Sequence, residues 1–303
     1  MVTAEPARSS APAVPFTLLM AVYAGDRPDH LRRAFDSSVS EQHRRPDEVV
    51  IVQDGPVPAP LAACLDELLA AAPVPVQVLR LPRNVGLGDA LEAGLAACSH
   101  EVVARMDADD ISLPERFALQ LPDIEAGADL VGCALLEIGA DEHDVVGRRV
   151  PPTSADVIAR TARLHDPFNH PTVVYRRSAV SAAGGYQRLP LMEDYWLFAR
   201  MIAAGARSAN RPEALVKYRV GAGAYERRGG PALLRAELVL QWRLWRSGFT
   251  TLPQYLRNVV VRGLYRLVPG RVRRPVYRAL VATRGERLDR EAARHGESPT
   301  AGG

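Results

Sequence analysis

Residues 16–107 alternate short apolar runs with helix-like stretches, and that alternation restricts the chain to an α/β architecture. FTLLMAVY (16–23) is an apolar run closed by Gly25, and DRPDHLRRAFDSS then starts a helix, with Asp26 placed to cap it and Pro28 in its first turn. EVVIVQD (48–54) is the second strand, closed by Gly55 and Pro56, and PLAACLDELLAAA (60–72) is the second helix. VQVLRL (76–81), GLGDALEAGLAAC (86–98) and EVVARMD (101–107) continue the series as strand, helix and strand. Alternation at these intervals predicts a doubly wound, mostly parallel central sheet flanked by helices. In such sheets ligands bind beyond the carboxyl ends of the strands. Tyr23 follows the first strand, Asp54 ends the second, Arg83 and Asn84 follow the third, and Asp107, Asp109 and Asp110 follow the fourth.

Composition removes several classes. With 303 residues, 47% of them hydrophobic and 24% charged, the chain can bury a full core and reads as one large domain with extensions. Cys64, Cys98 and Cys133 show no CxxC spacing, which excludes a zinc motif or a disulfide framework and suits a reducing cytosol. No run of about 18 uncharged apolar residues occurs, so a spanning helix is not expected. FTLLMAVYAG follows a Pro/Ala/Ser-rich leader in which Glu5 offsets Arg8, without the basic segment of a signal peptide, and reads as a strand.

The net charge of +3 conceals an asymmetry, because residues 242–284 hold ten arginines and no Asp, Glu or Lys. A basic extension therefore follows an acidic body. In PQYLRNVVVRGLYRLVPG (253–270), Leu256, Val260, Leu264 and Leu267 recur at helical spacing, with Arg262 and Arg266 on the other side. Such a helix fits an anionic membrane surface, and it equally fits packing on the domain with solvated arginines. No nucleic-acid fold or aromatic platform accompanies the charge, so nucleic acid is not an expected partner.

RMDADD (105–110) places three carboxylates in four positions at a strand end, where mutual repulsion is most readily relieved by a hard divalent cation, Mg²⁺ or Mn²⁺. The competing reading is a polar turn before the helix SLPERFALQL, with Ser112 and Glu115 as a capping box.

Six segments in order, AVYAGDRPDHLRRAFDS, VVIVQDGP, NVGLGDALEAGL, VVARMDADD, NHPTVVYRRSAVSAAGGY and MEDYWLFARM, resemble the inverting, nucleotide-sugar-dependent glycosyltransferases of family 2, which have a GT-A (Rossmann-like) fold. The resemblance spans roughly residues 14–225 and implies the following assignments. Tyr23 lines the nucleobase and Asp54 accepts a hydrogen bond from it, although Asp54 beside Gly55 also suits a turn cap. Arg83 and Asn84, with the NVGLG turn, sit beside base or ribose. Asp107 is a ribose or base-side contact, and Asp109 is the metal ligand facing the diphosphate. His170 touches the metal or a phosphate, unless it is structural. Asp194 is the base that takes the acceptor proton and Glu193 its neighbour or an acceptor contact, while an acidic pair in a helix's first turn also stabilises the helix by itself. Arg200, Lys217 and Arg219 are further cations near this side, and RPEALVKYRVG (211–221) reads as an edge strand.

The expected organisation is a leader (1–13), a GT-A domain (14–225, with a nucleotide-binding half 14–110 and an acceptor-side half 111–225), a basic amphipathic helical extension (226–284) and a polar tail (285–303). The implied activity is transfer of one sugar, with inversion, from a UDP- or dTDP-sugar to a hydroxyl of a glycan or lipid-linked saccharide in envelope polysaccharide synthesis. Placement is cytoplasmic, peripheral on the inner membrane face if the extension binds lipid. The rivals are a sugar-phosphate nucleotidyltransferase, which needs a glycine-rich phosphate loop where AVYAGDRPDH has one glycine, and a non-catalytic nucleotide-sugar-binding subunit.

Overall fold

A computed structural model describes residues 13–220 and 230–267. The strands are β1 (Phe16–Tyr23), β2 (Glu48–Asp54), β3 (Val76–Arg80), β4 (Val102–Asp107), β5 (Ile111–Ser112), β6 (Leu130–Ile138), β7 (Val145–Arg149), β8 (Val174–Arg176) and β9 (Ser208–Arg219). The helices are α1 (Pro28–Ser38), α2 (Ala59–Ala71), α3 (Leu87–Ala97), α4 (Arg116–Glu125), α5 (Ala155–Thr161), α6 (Arg177–Ala182), α7 (Glu193–Ala203), α8 (Pro231–Arg246) and α9 (Leu252–Leu267).

These strands form one sheet in the order β3-β2-β1-β4-β8-β6-β9-β5, with β7 on β6. The expected parallel half is present: β1 pairs in parallel with β2 and β4, and β2 with β3. Both faces of β1, β2 and β4 are covered, which is why these strands are mostly apolar, while the outer strand β3 is only partly buried. Helix α3 lies directly on it, because a Cβ at Gly94 would stand 2.5 Å from Leu19 and 2.6 Å from Val52. Beyond β4 the sheet becomes mixed, since β8 runs antiparallel to both β4 and β6.

Three local expectations are corrected. β9 is not an edge strand, for it runs parallel to β6 on one side and pairs with β5 on the other. Ser112 and Glu115 form no capping box: Ser112 lies in β5, and its hydroxyl accepts a hydrogen bond from Arg116 Nη1 at 3.0 Å. Asp26 does not cap α1, because Pro28 opens that helix and moves the cap position to Arg27.

A third apolar cluster joins α7 to α8 through Tyr195, Trp196, Ala199, Leu233 and Leu240. Helix α9 then packs beside α8 with its polar side inward. Asn258 is buried and donates to Arg163 O at 2.7 Å and Gln241 Oε1 at 2.9 Å, and Arg262 holds the buried Glu237 through Nε at 2.5 Å and Nη2 at 2.9 Å. Leu256 and Val260 of the expected apolar stripe are instead 55% and 57% exposed, and Arg262 points in. Residues 1–12 of the expected leader, 221–225 at the end of the expected domain, 226–229 and 268–284 of the basic extension and the whole polar tail lie outside the described residues, as do the side chains of Leu264, Arg266 and Leu267.

Candidate functional site

The strand ends of β1, β2 and β4 meet the first turns of α3 and α7 at one rim of the sheet. On the β2 side, Asp54 accepts backbone N–H bonds from Val85 at 2.7 Å and Gly86 at 3.0 Å, so both carboxylate oxygens hold the NVGLG loop. Gly55, at φ 85°, is required here: a Cβ would lie 2.5 Å from the backbone nitrogen of Asn84. Arg83 and Asn84 are exposed on this loop, and Asn84 Nδ2 donates to Asp54 O at 3.3 Å. The Tyr23 ring is half exposed and folds over Gly25, where a Cβ would meet it at 2.5 Å.

At the end of β4, Asp107, Asp109 and Asp110 bring one carboxylate oxygen each to within 4.8 Å of one another, a group able to hold a metal ion. Asp110 is fully buried; Oδ1 accepts from Arg219 N at 2.8 Å, and Oδ2 has no partner. Burial first, then Asp107 and Asp109, raise its pKa well above the ordinary value. Asp109 is open to solvent on its outer side, yet desolvation of its carboxyl and the charge of Asp107 push it up to about 6. Asp26 belongs to the same acidic surround. It accepts from Tyr23 N at 2.9 Å, and burial with the charges of Asp109 and Asp107 raises it to about 6. An orphaned carboxylate oxygen beside proton-hungry neighbours is the chemistry of a group that could hold a metal ion through oxygen ligands.

Beneath this cluster lies Arg105, which sequence reasoning left without a role. Its guanidinium is buried, donates from Nη1 to Asp107 Oδ2 at 2.8 Å and from Nη2 to Oδ1, and leaves Nε without a partner. Its charge opposes proton uptake at Asp109, Asp110, Glu193 and Asp194 alike, so it lies among both acidic groups. A charged residue inside the apolar strand EVVARMD was the available signal. Arg219 also reaches here, donating from Nε to Asp109 O at 3.1 Å, whereas Lys217 turns away to Glu142 O.

The Glu193–Asp194 pair opens α7. Glu193 abuts the start of α3, where a Cβ at Gly88 would lie 3.2 Å from Glu193 Cβ. Its Oε2 is buried and unpartnered, and burial with the charge of Asp194 pushes it up to about 7. Asp194 Oδ1 accepts from Tyr195 N at 2.7 Å, while Oδ2 lies 3.8 Å from His170 Nδ1. Burial is the main reason its pKa is raised. His170, expected beside the metal or a phosphate, is outside the three-carboxylate group: Nε2 lies 3.0 Å from Tyr186 Oη, and burial keeps the ring neutral. Asp166, another residue not anticipated, feels the charge of Asp194 and has its own pKa raised, chiefly by burial. Arg200 holds the Gly184–Gly185 turn through Ala183 O and, at 2.7 Å, Gly185 O.

Residues 17–183 match the model of the family described as "Glycosyl transferase family 2". An uncharacterized glycosyltransferase of Haemophilus influenzae is 38% identical over 88% of this chain and 98% of its own. The amylovoran biosynthesis glycosyltransferase AmsE of Erwinia amylovora is 37% identical over 86% and 97%. The UDP-Gal:α-D-GlcNAc-diphosphoundecaprenol β-1,3-galactosyltransferase of Escherichia coli is 30% identical over 88% and 96%. Among solved structures, S. aureus TarS 1-349 with UDP-GlcNAc superposes with TM-score 0.58 at 16% identity, over 91% of this chain and 76% of that one. The mannosyltransferase PcManGT of Pyrobaculum calidifontis, with GDP-Man and Mn²⁺, gives 0.59 at 14% identity, over 92% and 79%.

Proposed function

Because this chain belongs to glycosyltransferase family 2 and has the GT-A fold, we propose that it is an inverting enzyme moving a sugar from a UDP- or dTDP-sugar to a lipid-linked saccharide. The observation that carries this reading is the meeting of two acidic groups at one rim, the aspartates closing β4 and the Glu193–Asp194 pair opening α7, with Arg105 among them.

On this reading the NVGLG loop clamped by Asp54, together with Tyr23, Arg83, Asn84 and Asp107, receives the nucleoside. Asp109, with Asp107 and Asp110, would hold Mg²⁺ or Mn²⁺, which when bound offsets charge on the departing diphosphate. Asp194 takes the proton of the acceptor hydroxyl as its oxygen attacks the anomeric carbon. The bond from that carbon to the diphosphate oxygen breaks, and its electron pair leaves with the nucleoside diphosphate, inverting the centre. His170 stands beside the outer oxygen of Asp194 as a neutral orienting group.

The acceptor class is supported by two relatives, one named for an exopolysaccharide pathway and one for a diphosphoundecaprenol-linked acceptor. It is also supported by the outward apolar side of α8 and α9. Leu238, Trp242, Leu252, Leu256, Val260 and Val261 are exposed there, amid the exposed Arg235, Arg246 and Arg257. The only acidic side chain on these two helices, Glu237, is buried against Arg262. Apolar side chains ringed by cations suit the surface of an anionic bilayer, and among the described residues no helix is long and apolar enough to cross one. The enzyme would then act as a peripheral protein on the cytoplasmic face.

The test is a thermal-shift panel of UDP, dTDP, GDP and CDP with and without Mn²⁺. A metal-dependent rise with UDP or dTDP is expected. No rise with any diphosphate would overturn the reading.

A further inference from the structure

A second cleft, of about 590 Å³, opens between the loop before α7 and the outer side of α8, lined by Gln187, Arg188, Trp196, Trp242, Arg243 and Arg246. It is shallow and open to solvent, so it would hold a ligand by charge rather than by enclosure. Its charge is not balanced from within. No carboxylate lines it, and among the described residues Arg246 has no partner. Arg188 has only a 4.0 Å approach from Asp89, with 77% of its side chain exposed. Arg243 lies over the ring of Trp196 at 5.8 Å, and Arg200 lies over the same ring at 5.1 Å. Burial pushes Arg200 down to about 10; Glu92 opposes that shift and the like charge of Arg243 adds to it.

Guanidinium groups gathered in this way repel one another, and their planar forks match phosphate oxygens two at a time. The aromatic part is fixed as well. Trp196 is pinned by its Nε1, which donates to Gln187 Oε1 at 2.9 Å, and Trp242 is 49% exposed at the rim. Trp196 is itself buried and serves to hold Arg243, so the exposed indole of Trp242 beside the cations is what suits a ligand with a polyanionic centre and a less polar body.

Position narrows the ligand further. The cleft shares no residue with the carboxylate group at the end of β4, where the donor is placed above. Trp196 follows Asp194 by two residues on α7, so the cleft and the base lie on opposite sides of the first turns of one helix. On its other side Trp242 belongs to the exposed apolar surface of α8 and α9.

We propose that this cleft binds the diphosphate of a lipid-linked saccharide acceptor, with Arg243 and Arg246 clamping the phosphates, Trp242 on the lipid side and the saccharide reaching round the first turn of α7 toward Asp194. The assignment rests on the transferase reading above. It gives that reading a recognition site for the acceptor's anionic linkage, separate from the donor's metal site.

Tryptophan fluorescence of the full chain, titrated with farnesyl diphosphate and separately with inorganic pyrophosphate, tests it. EDTA is present throughout, so that the aspartate cluster cannot take a diphosphate through a metal ion. Saturable quenching by farnesyl diphosphate is expected, weakened by about tenfold or more in R243A/R246A. Arg246 is exposed, and an unchanged melting midpoint of the double variant certifies its fold. Binding undiminished in R243A/R246A overturns the proposal, and so does binding of pyrophosphate without farnesyl diphosphate, which would mark a site for free anions. Metal-dependent UDP binding, measured on the same preparations, separates the two failures: its absence removes the transferase reading, and its presence without farnesyl diphosphate binding removes the cleft alone.

Discussion

Arg105 and Asp107, two residues apart on β4, form a two-pronged ion pair in which the guanidinium is buried and the carboxylate stands at the rim. Alternation along a strand places both side chains on one face, so the pair is built by local geometry. Replacing Arg105 with Met leaves Asp107 beside Asp109 and Asp110 without its counter-charge. The carboxylate left unpaired is partly solvated, and the expected result is a lower melting midpoint in EDTA that Mn²⁺ partly restores. A variant melting like the parent would remove Arg105 from the electrostatic account.

Gly55→Ala probes the close approach of the two nucleotide-side loops. With φ at 85° and a Cβ only 2.5 Å from Asn84 N, the substitution should cost on the order of 1–3 kcal/mol of stability. It should also raise KM for the donor several-fold while leaving kcat within about twofold. Donor-saturation kinetics decide it, and an unchanged KM would detach this loop from the nucleotide.

Asp26 and Asp109 are raised to about 6 and Glu193 to about 7, against ordinary values of 3.8, 3.8 and 4.5. The folded chain therefore holds these protons more tightly than the unfolded one. Their contribution to stability is complete below about pH 4 and is lost as pH rises through 6 to 7. In EDTA the melting midpoint should fall between pH 5.5 and 7.5, on the order of a few degrees, and saturating Mn²⁺ should flatten the fall. A midpoint in EDTA that rises over this range would contradict the charge distribution described for the site.

The reversed orientation of α9 makes two substitutions diverge. Leu256→Asp falls on an exposed residue and should leave stability within about 0.5 kcal/mol while weakening sedimentation with anionic vesicles. Arg262→Ala strands the buried Glu237 and should destabilise by about 3–5 kcal/mol. If Leu256→Asp sediments with vesicles as the parent does, the apolar side faces something other than lipid.

The first half of the fold was legible because β1, β2 and β4 are buried on both faces and Gly or Pro stands at the start of each helix. Phe16–Tyr23 and Glu48–Asp54 occur with the expected bounds, and α2 and α3 lie within a residue of theirs. The clustering of Asp107, Asp109 and Asp110 was also readable, since one strand end carries all three. What the sequence concealed depends on partners distant along the chain. Arg262 turns inward because Glu237, 25 residues earlier, is buried there, a fact that helical periodicity cannot express. His170 faces Tyr186 and Asp194 because a short loop brings residues 16 and 24 positions away against it. Asp26 could have been read better: with Pro28 at the first helical position it stands one residue too early to be the cap.

The central claim is a division of labour between two aspartates. Mn²⁺-dependent binding of UDP or dTDP and turnover of the corresponding nucleotide sugar should be measured side by side for the parent, Asp109→Asn and Asp194→Asn. Asp109→Asn is expected to lose the metal-dependent binding response. Asp194→Asn is expected to keep that binding within about threefold while turnover falls by about 10²–10⁴. An Asp194→Asn enzyme that turns over at the parental rate, or an Asp109→Asn protein whose diphosphate binding still responds fully to Mn²⁺, would contradict the account.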